Sequence, residues 1–455
     1  MNTNEKKTCY VLSPAQDVCY LQCKYSLHKR VINILSSTTF KEKLDIALLN
    51  KAYKLLVQRN DCLRLKFFNK NGRLMQYFRS ADEMKINDVP VLTFTTEAEQ
   101  QQFILNVRKK AIDYKRGIVI EPYFINTFDG RFMIFFKTCH LALDIYGIRI
   151  MYGDLLGIYN ALKNGTELPT PTASFEEIIK KDIEHNDKDS LHQKHLDFFT
   201  DLLNNNPEPY YAGIHGPENK VWQKQIKNGH HGMPLLIVKN DTETYTHKIN
   251  RDIVNKIMVY CEQHRCSPAN LLFFTGILTL GILNNKTKYL MPIGLYNCRY
   301  SMSEKNCGGT KAQSGACYTK IDYSLPFEEN MQVFSAHQLQ LYKHVKFSDL
   351  EFEDLIHKTY KSSPLEMYYS MSYSFFSFCS SEDEEFSVYS NGKGALPAYV
   401  VQFLNTETNE IETAYDVQTK TTSEADVKAF HEKYVHVLEQ VLDDPYIIVD
   451  NITLS

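Results

Sequence analysis

Ten residues constrain this chain most: Thr138-Cys139-His140-Leu141-Ala142-Leu143-Asp144-Ile145-Tyr146-Gly147. In them a histidine leaves an apolar strand and a carboxylate follows four positions later. Residues 118–126 and 131–139 are rich in β-formers and are joined by Asp129-Gly130, a dipeptide suited to a tight hairpin turn. The second run, Arg131-Phe-Met-Ile-Phe-Phe-Lys-Thr-Cys139, delivers His140 at a strand end. A helix is predicted from about Tyr146 to Leu162, closed by Asn164-Gly165. A histidine can accept a proton near neutral pH, which suits general-base work on an amine or hydroxyl. A core histidine with a helix-capping Asp144 reads the same way, since HxxxD alone is common.

The remaining pattern predicts a mixed chain of α/β or α+β type in two successive blocks. In the first, residues 40–59 have helical spacing (Leu44, Leu48, Leu49, Tyr53, Leu56), and Leu63–Phe68 alternates like a strand before the turn Asn69-Lys70-Asn71-Gly72. Pro169 and Pro171, within residues 164–172, mark the best linker, so the expected lobes are 1–172 and 173–455. Two polar helices follow to about residue 203, and 204–236 reads as loop. The second block predicts a strand Tyr245–Ile249, helices over 251–263 and from Ser267-Pro268 to Ile282, and a strand Tyr289–Leu295. Further strands are expected near 316–322, 369–376, 386–390, 397–404 and 410–416, with a last helix from Glu424 to Leu442. A length of 455 residues suits two cores better than one.

Composition excludes several classes. A net charge of -3 with dispersed Lys and Arg gives no stripe for nucleic acid or an anionic membrane. The N-terminus lacks the apolar core of a signal peptide, and the longest apolar stretch, Leu271–Leu283, is too short to span a bilayer. With 11 scattered cysteines and no CxxC pair, reduced thiols and a cytoplasmic location are expected. Cys261, His264 and Cys266 have loosely metal-like spacing but no second ligand pair, so no metal is expected. His230-His231 lies in a polar loop and is expected to be exposed. No nucleophile elbow, Walker loop or dinucleotide fingerprint occurs.

Six segments, in order along nearly the whole chain, resemble the condensation domains of nonribosomal peptide synthetases, members of the chloramphenicol acetyltransferase-like HxxxD acyltransferases. Leu12-Ser13-Pro14-Ala15-Gln16 with Tyr20-Leu21 is similar to the opening Ser-x-Ala-Gln motif. Arg59-Asn60-Asp61-Cys62-Leu63-Arg64-Leu65-Lys66-Phe67 resembles Arg-His-Glu-x-Leu-Arg-Thr-x-Phe. Residues 138–147 resemble His-His-x-x-x-Asp-Gly in part, with Cys139 for the first histidine and Ile145 for the glycine. Ser267-Pro268 and its apolar helix, Asp349-Leu350-Glu351-Phe352-Glu353 and Ser363-Pro364-Leu365 are similar to later family segments.

The resemblance implies two acetyltransferase-like lobes forming a V with a tunnel between them and His140 at its midpoint. It implies a donor acyl or aminoacyl group arriving as a thioester on a carrier protein's phosphopantetheine, no permanently bound cofactor, and a small amine or alcohol acceptor. His140 would take or position the acceptor's proton, and Asp144 would hold the loop through an ion pair with Arg64. Ile145 in place of glycine would remove backbone freedom beside Tyr146 and Gly147. Cys139, after an apolar strand, is expected to be an inert core thiol. Gln313-Ser314-Gly315-Ala316-Cys317 falls where the family has a floor loop, and Gln313 or Ser314 would line the tunnel; a plain loop is the other reading. The acidic run Ser380-Ser381-Glu382-Asp383-Glu384-Glu385 lies near the expected crossover that latches the lobes. With Met1 at one end and Ser455 at the other, a freestanding amide- or ester-forming enzyme is expected. A degenerate module that recruits carrier proteins or tailoring enzymes, and an acyl-CoA-dependent acyltransferase, are the alternatives.

Overall fold

The computed structural model describes residues 7–186, 189–235, 240–378 and 384–455. The chain divides into two compact units, each built from more than one stretch of sequence. The first comprises Met1–Asp189, Asn297–Gln313 and Ser380–Asn391, and the second Ser190–Tyr296, Ser314–Cys379 and Gly392–Ser455. The division after Asp189 therefore falls beyond the expected linker at 164–172, and two later segments return to the first unit.

In the first unit, in chain order, α1 spans Pro14–Tyr25, β1 Asn33–Phe40, α2 Ile46–Arg59, β2 Val91–Thr93, β3 Ile120–Asn126, β4 Phe132–Cys139 and α3 Ile145–Asn164. The sheet order is Glu384–Tyr389, β1, β4, β3, β2. The β3–β4 hairpin turns at Gly130, whose φ of 84° is the left-handed conformation that the Asp-Gly dipeptide favours. β4 is paired on both sides, by β1 and β3, and every one of its residues is buried. Its alternate side chains enter two different cores. Phe132, Ile134 and Phe136 join the main cluster, whereas Met133 and Phe135 join a smaller one with Leu35, Ile104, Val107 and Ile125. A strand covered on both faces needs an unbroken apolar run, which is why 131–139 shows no polar alternation.

α3 covers the main core. Its spacing of Ile148, Met151, Tyr152, Leu155, Ile158 and Tyr159 buries one face, and the Tyr152 ring stacks on Phe136 at 4.4 Å. Asp144 caps the helix start and Gly165, at φ 65°, closes it. The strand Glu384–Tyr389 completes the sheet against β1, and its Glu385 pairs with Arg131 at 2.7 Å. Ser380, Ser381, Glu382 and Asp383, the front of the acidic run, lie outside the described residues.

The second unit carries a mixed six-stranded sheet in the order Ala312–Ala316, Ile293–Asn297, Ser372–Phe378, Ala398–Asn405, Glu410–Gln418, Thr242–Ile249. Ser372–Phe378 runs parallel to both of its neighbours, while the last three strands are antiparallel. The helix Pro268–Leu283 is apolar all round and buried from Leu271 to Gly281, as a core helix must be; Ser267 caps it. Among the described residues no single helix is long and apolar enough to cross a membrane. Residues 204–236, expected as loop, contain the helix Lys220–Lys227. Asn219 caps it and Trp222 anchors it in a small core with Tyr211 and Met233, so one buried aromatic outweighs the Asn- and Gly-rich flanks.

Candidate active site around His140 and Asp144

β4 ends at Cys139, and the next four residues form a tight bend before α3. Ala142 and Leu143 amides bond back to the Cys139 carbonyl, and the His140 amide bonds to Ile32 O at 2.9 Å. Leu141, Ala142 and Leu143 are fully buried, which pins the bend on both sides of the imidazole. Gln16, at the start of α1, adds a side-chain clamp. Its amide donates to Leu141 O at 2.9 Å and to Gln76 Oε1 at 2.8 Å, while its own oxygen accepts from Ser13 N at 2.9 Å. The sequence motif around Gln16 was recognisable, but this contact was not.

Asp144 is the most densely bonded carboxylate of the site. Oδ1 accepts from Gly147 N at 2.7 Å and from Arg299 Nη2 at 2.9 Å. Oδ2 accepts from Arg299 Nη1 at 2.9 Å, Lys311 N at 2.7 Å and Ala312 N at 2.9 Å. Burial alone would push this carboxyl up, but the Arg299 guanidinium and these donors more than offset it and hold it below the usual carboxylate range. Arg299 also lies over the Tyr146 ring at 4.7 Å and donates to Gly309 O at 2.5 Å.

The expected partner of Asp144, Arg64, is elsewhere. Its guanidinium donates to the carbonyls of Arg79, Val57 and Gln58 at 2.9, 3.2 and 2.6 Å and so ties the end of α2 to the following strands. Both arginines stabilise the first unit, but only Arg299 neutralises Asp144. Neither local spacing nor charge pattern marked an arginine 155 residues downstream.

Gly147 is required by close approach. A Cβ there would lie 1.8 Å from Gly308 O. Ile145, by contrast, is the first residue of α3 and has no positive φ, so glycine's freedom is not needed at its position. The segment behind Gly308 is fixed by Thr310 N on Ala142 O at 3.1 Å and by the buried Lys311 ammonium, which pairs with Asp182 at 2.6 Å and Glu304 at 3.1 Å.

The His140 ring is half-buried. Burial lowers its pKa below the ordinary 6.5, and its own carbonyl and the charge of Asp144 only partly restore it. The imidazole is therefore neutral near pH 7, the form that can accept a proton. Its Nδ1 lies 3.2 Å from the thiol of Cys19 on α1, a contact no sequence signal announced. Cys139 faces the core, and burial pushes its thiol up to about 12.

Gln313 is buried in the strand Ala312–Ala316 rather than set in a loop. Ser314, next along that strand, donates to Asp349 of the helix Asp349–Tyr360. Burial pushes the Asp349 carboxyl up to about 6 and that of Glu353, bonded to Tyr369, up to about 7. The Cys261 and Cys266 thiols face each other at 3.7 Å, while His264 turns to Glu328 at 3.1 Å. His230 keeps a side chain 43% exposed while meeting Glu366 at 3.3 Å, and His231, more covered than expected, meets Glu208 at 3.1 Å.

Arg299→Ala and Asp144→Ala are each expected to cost about 3–5 kcal/mol, because each strands the other charge in a buried site. Arg64→Ala should cost about 1 kcal/mol. Denaturant titration of the three variants checks this, and equal losses would contradict the assignment. Gly147→Ala should lose about 3 kcal/mol through overpacking against Gly308 O, seen as a fall in Tm; an unchanged Tm would refute the close approach.

Residues 6–210 match the family model "Condensation domain". The chain is 19% identical to one of the plipastatin synthase proteins of Bacillus subtilis (strain 168) over 93% of its own length, and it spans 16% of that synthase protein. A mutant starter condensation domain of rhizomide synthetase, solved in complex with C8-CoA, shares the fold with a TM-score of 0.81 at 13% identity, over 98% of each chain. The first condensation domain of the calcium-dependent antibiotic synthetase, solved with a substrate analogue, gives a TM-score of 0.80 at 14% identity, over 98% of this chain and 99% of that one. Residues 6–210 are thus similar in sequence to a condensation domain, and 98% of the chain shares the fold of the condensation domains of nonribosomal peptide synthetases.

Proposed function

We propose that this chain is an active acyltransferase that joins a carrier-bound acyl or aminoacyl thioester to an amine or hydroxyl. The observation that carries this reading is the state of His140: a half-buried, neutral imidazole on a bend fixed from both sides. The donor arrives on the phosphopantetheine arm of a carrier protein. The acceptor's nitrogen or oxygen attacks the thioester carbonyl while its proton passes to Nε2 of His140. The C–S bond then breaks, the pantetheine sulfur leaves as a thiolate that takes up a proton, and an amide or ester remains. Asp144 does not touch the reacting atoms; through Arg299 and Gly147 it holds the bend and the start of α3.

Neither departure from the family motif opposes activity. Cys139 is a core side chain, and Ile145 packs against the same core at a helical position. A CoA-borne donor is the second reading, favoured by the C8-CoA found with the rhizomide starter domain. CoA ends in the same phosphopantetheine arm, so the two donors present the same thioester.

The test loads acyl and aminoacyl groups on phosphopantetheinylated carrier proteins, and in parallel on CoA, and follows the donor by intact mass with candidate amines and alcohols. Acyl loss that needs both an acceptor and His140 supports the reading and names the donor carrier. His140→Ala should abolish transfer, a fall of about 100-fold or more, with its Tm retained. Full turnover in His140→Ala would overturn it. No transfer, with stable co-purification of one loaded carrier, would make the chain a recruiting module. Because the folded pKa of His140 lies below 6.5, the base form is present at neutrality and is lost as pH falls through that lower value. The acid limb of the pH–rate profile should therefore lie below 6.5, and a limb above it would exclude His140 as the titrating base.

A further inference from the structure

α1 touches the His140 bend at two points. Gln16 holds Leu141 O, and one helical turn further on Cys19 presents its sulfur to His140 Nδ1 at 3.2 Å. Cys19 is 5% exposed, and the α1 start beneath it is fixed by the Ser13–Gln16 capping box. The next thiol along the same face, Cys23, is 3.9 Å from the Tyr114 hydroxyl and belongs to the core. The helix is thus locked in position before the sulfur meets the ring, so the contact is built in rather than incidental.

A neutral imidazole carries one proton, and its position decides which nitrogen can act as a base. The backbone of His140 itself favours a protonated ring, and of the two ring nitrogens Nδ1 is the one nearer to that backbone carbonyl. That carbonyl can accept but cannot donate. The thiol can do either. With the proton on Nδ1, carbonyl and sulfur both accept from it, and Nε2 keeps its lone pair. With the proton on Nε2, the Nδ1 lone pair faces the carbonyl oxygen, a repulsion the thiol proton alone must offset. The first arrangement satisfies both neighbours. We infer that Cys19 is a positioning residue: its sulfur accepts the Nδ1 proton of His140 and holds the imidazole in the tautomer whose free lone pair is on Nε2. This rests on the reading of His140 as the proton acceptor.

The test uses the full chain labelled with 15N-histidine and needs no substrate for its first readout. Long-range 1H–15N correlation of the His140 ring reports which nitrogen is protonated. The wild type should show protonated Nδ1. Cys19→Ala and Cys19→Val both remove the acceptor, the second while filling the volume, and should shift the ring population toward protonated Nε2 by roughly two- to ten-fold, the range one ordinary hydrogen bond controls. Cys19→Ser keeps an acceptor and should restore most of the wild-type population. In the transfer assay kcat should fall in the same proportion with KM unchanged, and recover in Cys19→Ser. An unaltered tautomer in whichever of the Ala and Val variants folds, or protonated Nε2 in the wild type, would overturn the inference. A tautomer shift without change in kcat would leave Cys19 in place and overturn the base role of His140 instead.

Discussion

One buried carboxylate organises the first unit. Asp144 accepts from Arg299, Gly147, Lys311 and Ala312, and these donors come from the start of α3 and from the distant segment 297–313. A buried charge is costly unless it is paired and hydrogen-bonded, and here the pairing is what recruits the later segment into the unit. Once that segment is in place, the Gly308 carbonyl fills the space beside Gly147, and Thr310 bonds to Ala142. The bend that carries His140 is consequently fixed by partners before it and after it, with no need for a side chain that also handles substrate.

The same burial acts oppositely on the two titratable groups of the motif. Both lose water. Asp144 regains more than it loses, through a bidentate guanidinium and backbone donors, and stays ionised. His140 has the Cys19 thiol at Nδ1, and for its ring burial outweighs the help of its own backbone and the outlying charge of Asp144, so it stays neutral. Two groups four residues apart are thereby held on opposite sides of their charge balance, the separation that the proposed roles of frame and base require.

What was legible in the sequence were the features set by near neighbours. The Asp129-Gly130 turn, the apolar run of β4 and the span of α3 follow from local spacing and turn chemistry, and the motif around His140 follows from their junction. The partners of the motif were not legible, because they depend on which distant segments pack together. Arg64 is as plausible a cation as Arg299 until the fold places one on carbonyls and the other on Asp144. Cys19 is one thiol among 11 until α1 is laid on the bend. The discontinuous units have the same cause. A proline-rich stretch suggests where a chain divides, but it cannot show that residues 297–313 and 380–391 return to the first unit.

This separation of frame from proposed chemistry bears on the two positions where the chain departs from the condensation-domain motif it resembles. Position 139 lies at the end of a strand whose side chains are all buried, so its residue contributes volume to the core and nothing to the ring at 140. Position 145 is the first turn of a helix capped by Asp144, where a β-branched residue costs little and packs against the core. Position 147, in contrast, admits no side chain at all, and it is glycine. The chain departs from the motif it resembles where the frame tolerates a change and keeps its second histidine and aspartate as His140 and Asp144. A chain that only recruits partners would still need Asp144 and Gly147 to fold, so of the three positions His140 alone bears on the proposed activity.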